Sequence, residues 1–285
     1  MNNVAMIIGD DIHSQLLTHC LLTDTPSEWA VAVYSSERTA KGEQQEPNFR
    51  QYRELETRLF SALVAKNANE TDSMEQQLER HFIRHGAKAY DHVTDINSPA
   101  FVKTLLDHDI DILVSVRCYQ KFGRDILSTF NDAKKGRYLL NLHPGRLPEY
   151  RGVLSYLHQL TAGDTLGTHT LHIMNESWDA GEVVGVNSAH LDEKRSLLSN
   201  YFLQAVTGSN FLKSELGRVL KEGFVPVQQS SGKYWNAGDA IRQLSRSDFN
   251  SIISRAELKQ DVASLFNREA VERADTLWLQ VTNNE

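Results

Sequence analysis

Short apolar runs punctuate the 285-residue chain at Val4 to Gly9 (VAMIIG), Trp29 to Tyr34 (WAVAVY), Ile110 to Val116 (IDILVSV) and Tyr138 to Leu140. Runs of this length, closed by glycine, proline or polar residues, predict strands covered on both faces, and Ile110 to Val116 is continuous enough for a parallel-sheet centre. Between them apolar residues recur every three or four positions, the helical period. HSQLLTHCLL predicts a first helix, Phe49 to Lys66 a second through Tyr52, Leu55, Leu59, Leu63 and Val64, and Leu78, Phe82 and Ile83 a third. After a short strand at Ala87 to Val93, Ser98 and Pro99 supply the cap and first-turn residue of a helix through Leu106.

Gly167 to Met174 and Val183 to His190 predict two more strands, and Ser196 to about Glu222 a long helix with Leu198, Phe202, Ala205, Val206 and Phe211 on its apolar side. The alternation over residues 1–222 predicts an α/β domain built on a Rossmann-like, doubly wound, mostly parallel sheet. Residues 223–285 read as a small C-terminal α+β subdomain. It would hold a strand-like Phe224 to Val227, a turn at Ser230 to Tyr234, helical segments around Ala240 to Leu244 and Ser247 to Ile253, and a last strand at Leu277 to Val281. The helical segment within 35–86 exceeds what a crossover needs; it is either an insertion at the site's rim or a second helical layer of the core.

The first turn lacks the glycine fingerprint of a dinucleotide site, so NAD has no support. Against 30 Lys and Arg stand 37 Asp and Glu, a net charge of −7, which leaves no general basic surface for nucleic acid. Cys20 and Cys118 lie far apart and outside any CxxC, which suits a reducing cytoplasm and makes neither a disulfide framework nor a metal site. The N-terminus lacks the plan of a signal peptide, and no apolar stretch approaches the ~20 residues of a membrane span. A soluble cytoplasmic protein with small-molecule partners, and no membrane partner, is expected. The apolar face near Trp278 marks either a homodimer contact or packing on the main domain.

The strand at Tyr138 ends where Pro144 and Gly145 break it, and it delivers Asn141 and His143 to one face while Leu142 points into the core. An amide can donate to an oxyanion and an imidazole can manage the proton of an attacking amine, with a carboxylate to fix the ring. Taken alone, a structural Asn and His satisfying their backbone neighbours is the commoner outcome.

NLHPGRLPEYRG (141–152) closely resembles the N-x-H-x-S-x-L-P-x-x-R-G signature of the 10-formyltetrahydrofolate-dependent formyltransferases. That family includes glycinamide ribonucleotide transformylase, methionyl-tRNA formyltransferase and the nucleotide-sugar N-formyltransferases. The resemblance continues through Ala162-Gly163-Asp164, Thr170 to Met174 and Asp179-Ala180-Gly181-Glu182, and the interval from His143 to Asp179 matches the family's. It implies Asn141, His143 and Asp179 as the catalytic residues. Arg117, Cys118, Tyr119 and Gln120, with Met174, Asn175 and Trp178, would hold 10-formyltetrahydrofolate as co-substrate, and no metal would be required. Asp10, Asp11, Gly145 and Arg146 would face the acceptor, with Arg146 otherwise solvent-exposed. His172 is a candidate support for the catalytic residues, and on a regular strand it diverges from His169, so the two cannot share a metal.

The chain departs from the family at Gly145, where serine is usual, and at bulky Trp178. Asp10 and Asp11 occupy a turn that is glycine-rich and phosphate-holding in the purine-pathway member; two aspartates would repel that phosphate, unless they serve as helix cap and first-turn acid. Arg117 could instead make a surface salt bridge, and Tyr119 could pack at the rim. The implied activity is N-formylation of a small primary amine, a nucleotide-linked amino sugar first and an amino-acid-derived or siderophore-precursor amine second. The short tail points away from tRNA. A formyltetrahydrofolate hydrolase, disfavoured because no regulatory domain precedes the first strand, and an inert folate-binding or assembly protein are the alternatives.

Overall fold

The computed structural model describes residues 1–36, 47–65, 72–236, 238–239, 242 and 252–282. Five strands run parallel: β1 (Asn2–Ile8), β2 (Trp29–Ser36), β3 (Ala89–Val93), β4 (Ile112–Val116) and β5 (Tyr138–His143). After the two-residue β6 (Arg151–Gly152), β7 (Leu166–Ile173) and β8 (Val183–His190) add antiparallel to give the order β3-β2-β1-β4-β5-β7-β8.

Pleating sorts alternate residues of the sheet into two cores. Val4, Met6 and Ile8 join Ile112, Val114, Leu140 and Leu142 on one face, under α1 (Ile12–Thr23), α2 (Pro47–Val64), α3 (Met74–Arg84) and the long α7 (Leu197–Glu222). Ala5, Ile7, Leu113 and Leu139 join the other, under α4 (Pro99–Asp107) and α5 (Arg124–Phe130). Helices on both faces make the fold doubly wound, as expected. α6 (Ser155–Thr161) follows the signature loop. Ser98 and Ser196 cap α4 and α7, each accepting a backbone N–H from three residues on. The described part of the segment before β3 forms a second layer, with Phe49, Tyr52, Leu55, Leu59 and Phe60 of α2 fully buried, while Arg53 of the same helix lines the cavity described below. Among the described residues no helix is long and apolar enough to cross a membrane.

The tail differs from expectation at two places. The expected strand at Leu277 to Val281 lies within a helix, Arg268–Thr282, because Ala270, Ala274, Leu277 and Val281 form a stripe at intervals of four, three and four that packs into the first core. Trp278 packs against the same cluster, and Arg273 donates to the carbonyls of Ala62 and Leu63 at the end of α2. Phe224 to Val227 makes a single bridge, Val183 to Val227, with Val225 fully out in solvent. Tyr234–Trp235 instead form β9, which pairs with β6. The expected segments around Ala240 and Ser247 lie almost wholly outside the described residues.

Candidate functional site

β4 and β5 end side by side, and their exits, together with the loop after β7, enclose a cavity of about 260 Å³. The position is the usual one for chemistry in a doubly wound sheet, at the carboxyl ends of its strands. Asn141, His143, His172 and Asp179 line its polar side; Phe122, Val153, Leu154, Met174 and Trp178 line its apolar walls.

His143 ends β5 almost wholly buried, with Nδ1 3.5 Å from Asp179 Oδ1. On its other side Nε2 lies 2.7 Å from the Tyr150 carbonyl, to which it donates, and 3.2 Å from Ser155 Oγ. Asp179 is held by Gly152 N–H, which donates to Oδ2 at 2.8 Å, and by a left-handed backbone (φ 50°) unusual for a residue other than glycine. The carboxylate therefore faces the ring from a strained loop tied to the signature segment.

Asn141 pairs across the sheet with His172, and its Nδ2 lies 3.0 Å from His172 Nε2. His172 Nδ1 donates to the Ile173 carbonyl at 3.0 Å. Burial, only partly opposed by the attraction of Asp179, lowers the His172 pKa to about 4, so near neutrality the ring is uncharged and Nε2 accepts. This orients the Asn141 amide as a donor toward the ring and leaves its second N–H for a ligand. His169 points to the opposite face, where Tyr156 Oη lies 2.9 Å from its Nε2, so the two histidines do diverge.

Arg117 lines the cavity, yet its guanidinium is buried rather than at the surface. It sits 2.6 Å from Glu56 Oε1, 2.6 Å from Tyr119 Oη and 3.3 Å from Asp11 Oδ1. Burial works against its charge, but the two carboxylates outweigh burial and raise its pKa. Cys118, Tyr119, Met174, Asn175 and Trp178 also line the cavity. Gln120 does not: its side chain clamps the neighbouring loop, donating to the Thr94 carbonyl and accepting from Ile96 N–H.

None of the four acceptor-facing expectations lines the cavity. Asp11 is fully buried and caps α1, accepting from Ser14 N–H at 3.0 Å; with Arg117 beside it, its charge is compensated, and the argument from phosphate repulsion loses its force there. Asp10 precedes it, half-buried. Arg146 is half exposed, between Glu149 at 3.8 Å and Asp164 at 3.7 Å. Gly145 lies beneath His143, where a Cβ would stand 2.8 Å from the ring's Nε2 and 2.7 Å from Ser155 Cβ.

Glu56, Ser155 and Tyr201 escaped the sequence reading. Glu56 had a signal, a lone carboxylate inside the apolar stripe of α2 beside Tyr52, Leu55 and Leu59; Ser155 and Tyr201 had none, since only the tertiary fold brings them to the site.

A family model described as formyl transferase matches residues 2–201. Among curated proteins, the chain is 32% identical over 80 residues to trifunctional purine biosynthetic protein adenosine-3 of Chironomus tentans, covering 28% of this chain and 6% of that one. It is 30% identical over 116 residues to methionyl-tRNA formyltransferase of Chlamydia muridarum, covering 41% and 34%. These matches thus span well under half of the curated relatives' own length. A sugar N-formyltransferase from a Shewanella species superposes with a TM-score of 0.55 at 17% identity over 96% of this chain and 88% of that one. Phosphoribosylglycinamide formyltransferase from Bacillus halodurans gives 0.52 at 14% identity over 78% and 96%. At these identities the likeness concerns the fold.

Proposed function

The chain belongs to the formyl transferase family, and from that premise we propose that it moves the formyl group of 10-formyltetrahydrofolate to the primary amine of a small metabolite. The observation that carries this is the convergence of His143, Asp179 and Asn141 on one cavity, with His143 Nδ1 3.5 Å from Asp179 Oδ1. The folate fits the lining: the apolar side chains of Phe122, Met174 and Trp178 suit a flat heterocycle, and the polar groups gather at one side, as in ligand pockets generally. Bound there, it supplies a formyl group already attached to a nitrogen that can leave.

In this mechanism Asn141 Nδ2–H donates to the formyl oxygen as the amine attacks and the carbonyl electrons move onto it; one such donor is worth ~3 kcal/mol of barrier. His143, steadied by Asp179, takes a proton from the attacking nitrogen and returns one to the departing folate nitrogen as its bond to the formyl carbon breaks. His172 acts through Asn141, keeping the amide's donor side in place. Protons balance, and no oxidant or reductant is needed.

For the acceptor, a nucleotide-linked amino sugar is our reading. It draws support from the fold shared with the Shewanella sugar N-formyltransferase over 96% of this chain. The test is a panel of nucleotide amino sugars and amino-acid-derived amines incubated with 10-formyltetrahydrofolate, read by mass spectrometry, with His143→Ala as control. A mass gain of one formyl group that vanishes in the variant supports the proposal. Folate turnover without a formylated amine would replace it with a hydrolase.

A further inference from the structure

On the first core's helical layer, clear of the cavity, three imidazoles meet. His19 comes from α1, His81 from the last turn of α3, and His85 caps that helix. Their ring centroids lie 4.1 to 4.9 Å apart, and one nitrogen from each lies within 4.8 Å of the other two. Among the described residues no other group of three metal-ligating side chains comes together.

The geometry points to a three-histidine site for a divalent transition-metal ion, zinc by ligand type. His81 and His85 stand four residues apart, the helical spacing that puts two rings on one face. His85 Nδ1 donates to the His81 carbonyl at 2.8 Å, so the lone pair of the neutral ring is on Nε2, the outer-partner arrangement usual for a ligating histidine. His81 Nε2 and His19 Nδ1 already lie 3.0 Å apart, close to the ~3.4 Å between two nitrogens on a tetrahedral zinc with bonds of about 2.0–2.1 Å. Both nitrogens can ligate once the hydrogen they share moves to the far nitrogen of its own ring, with no change in net charge, and the two rings tilt to aim at a common point instead of at each other. Small rotations about the His85 side chain bring in the third ligand, and water completes the four.

The helix ends favour a cation. Two rings sit at the carboxyl end of α3 and the third in the last turns of α1, the negative ends of both helix dipoles. Arg84 works the other way. Phe60 and Phe266 pack on the cluster, 5.3 Å from His81 and 5.7 Å from His19. His19 and His85, both partly exposed, give an ion its entry. An ion here would fasten α1 to α3 beside the helix Arg255–Leu265 that Phe266 terminates.

Titrating tag-free, metal-stripped protein with cobalt(II) tests this through visible absorption, with melting in zinc as a second readout. One cobalt per chain with the bands of a four-coordinate site is expected, with a rise in Tm of about 5 °C at a hundredfold excess of zinc over its Kd and none with magnesium. His85→Ala, at a partly exposed capping position, should abolish both signals while shifting the Tm of the metal-free protein by no more than about 3 °C; His19→Ala should do the same to the cobalt bands. Failure to bind one ion per chain overturns the proposal. So does binding that survives His85→Ala, which would put the ion elsewhere, for instance on His143 and His172.

Discussion

Replacing Asp179 by asparagine separates what this residue does by charge from what it does by hydrogen bonding. Its Oδ2 accepts Gly152 N–H at 2.8 Å, and an amide oxygen can take over that bond, so the loop keeps its anchor. What disappears is a negative charge 3.5 Å from His143 Nδ1. At an effective dielectric constant of about 20, unit charges at that separation interact by about 5 kcal/mol. An imidazolium formed during proton transfer would forfeit that amount, and at 1.36 kcal/mol per tenfold the loss is on the order of a thousandfold in kcat. KM for folate and amine should change little, and Tm should stay within about 3 °C of the parent, equivalent to roughly 1 kcal/mol. Steady-state formyl transfer and a melting curve on the same preparations give both numbers. A kcat within tenfold of the parent in a fully folded variant would refute the assignment of Asp179 as the electrostatic partner of His143. A collapse in Tm would show that the anchor to Gly152 had been lost as well.

Other consequences follow from the same geometry. Arg117→Met leaves the buried carboxylates of Asp11 and Glu56 without their cation and should cost about 3–5 kcal/mol in urea unfolding; a loss under ~1 kcal/mol would mean that the pair is hydrated or protonated cheaply. Gly145→Ser, although it inserts the family's usual residue, should lower both stability, by about 1–3 kcal/mol, and kcat, because its Cβ meets His143 and Ser155. Ser155→Gly in the same chain should restore part of each, and a single variant as stable and active as the parent would rule out the crowding. Burial holds the pKa of His172 at about 4 and of His169 at about 3, against 6.5 for a free ring. Below 6.5 the unfolded chain therefore binds protons that the folded one does not, so the stability contributed by these neutral rings is complete above about pH 7 and declines as pH falls toward 4 and 3. Melting curves at fixed ionic strength should show that decline, and His172→Gln should make it shallower; an unchanged slope would assign the effect to other groups.

The parallel strands and capped helices were legible because each writes its own local rule: continuous apolar runs for β1, β4 and β5, and Ser98-Pro99 or Ser196 at a helix start. The same holds for Asn141 and His143, whose common face follows from strand alternation alone. The end of the chain misled because Leu277-Trp278-Leu279 is apolar at adjacent positions, and only the buried stripe from Ala270 to Val281 reveals a helical period. α5 is seven residues long, too short for its period to stand out. Glu56 showed only as a lone carboxylate in the apolar stripe of α2; its partner Arg117, on the loop after β4, and the three-histidine cluster depend on which segments become neighbours, which is written across the sheet order rather than within any segment. His81 and His85 carried half of that signal in their spacing of four; His19, some sixty positions earlier, could not be joined to them by pattern.

The pairing of Arg151–Gly152 with Tyr234–Trp235 bears on how a chain of this family could be re-engineered. Gly152 sits at φ 104° with the Trp235 carbonyl where a Cβ would be, and its N–H holds Asp179. One backbone position thus joins a ribbon from the tail to the carboxylate beside His143. Grafting the tail of a relative onto this chain would break that register unless the recipient loop travelled with it. The exchangeable cassette is the signature loop together with its distant strand, two pieces separated by about eighty residues of sequence that must be moved as one.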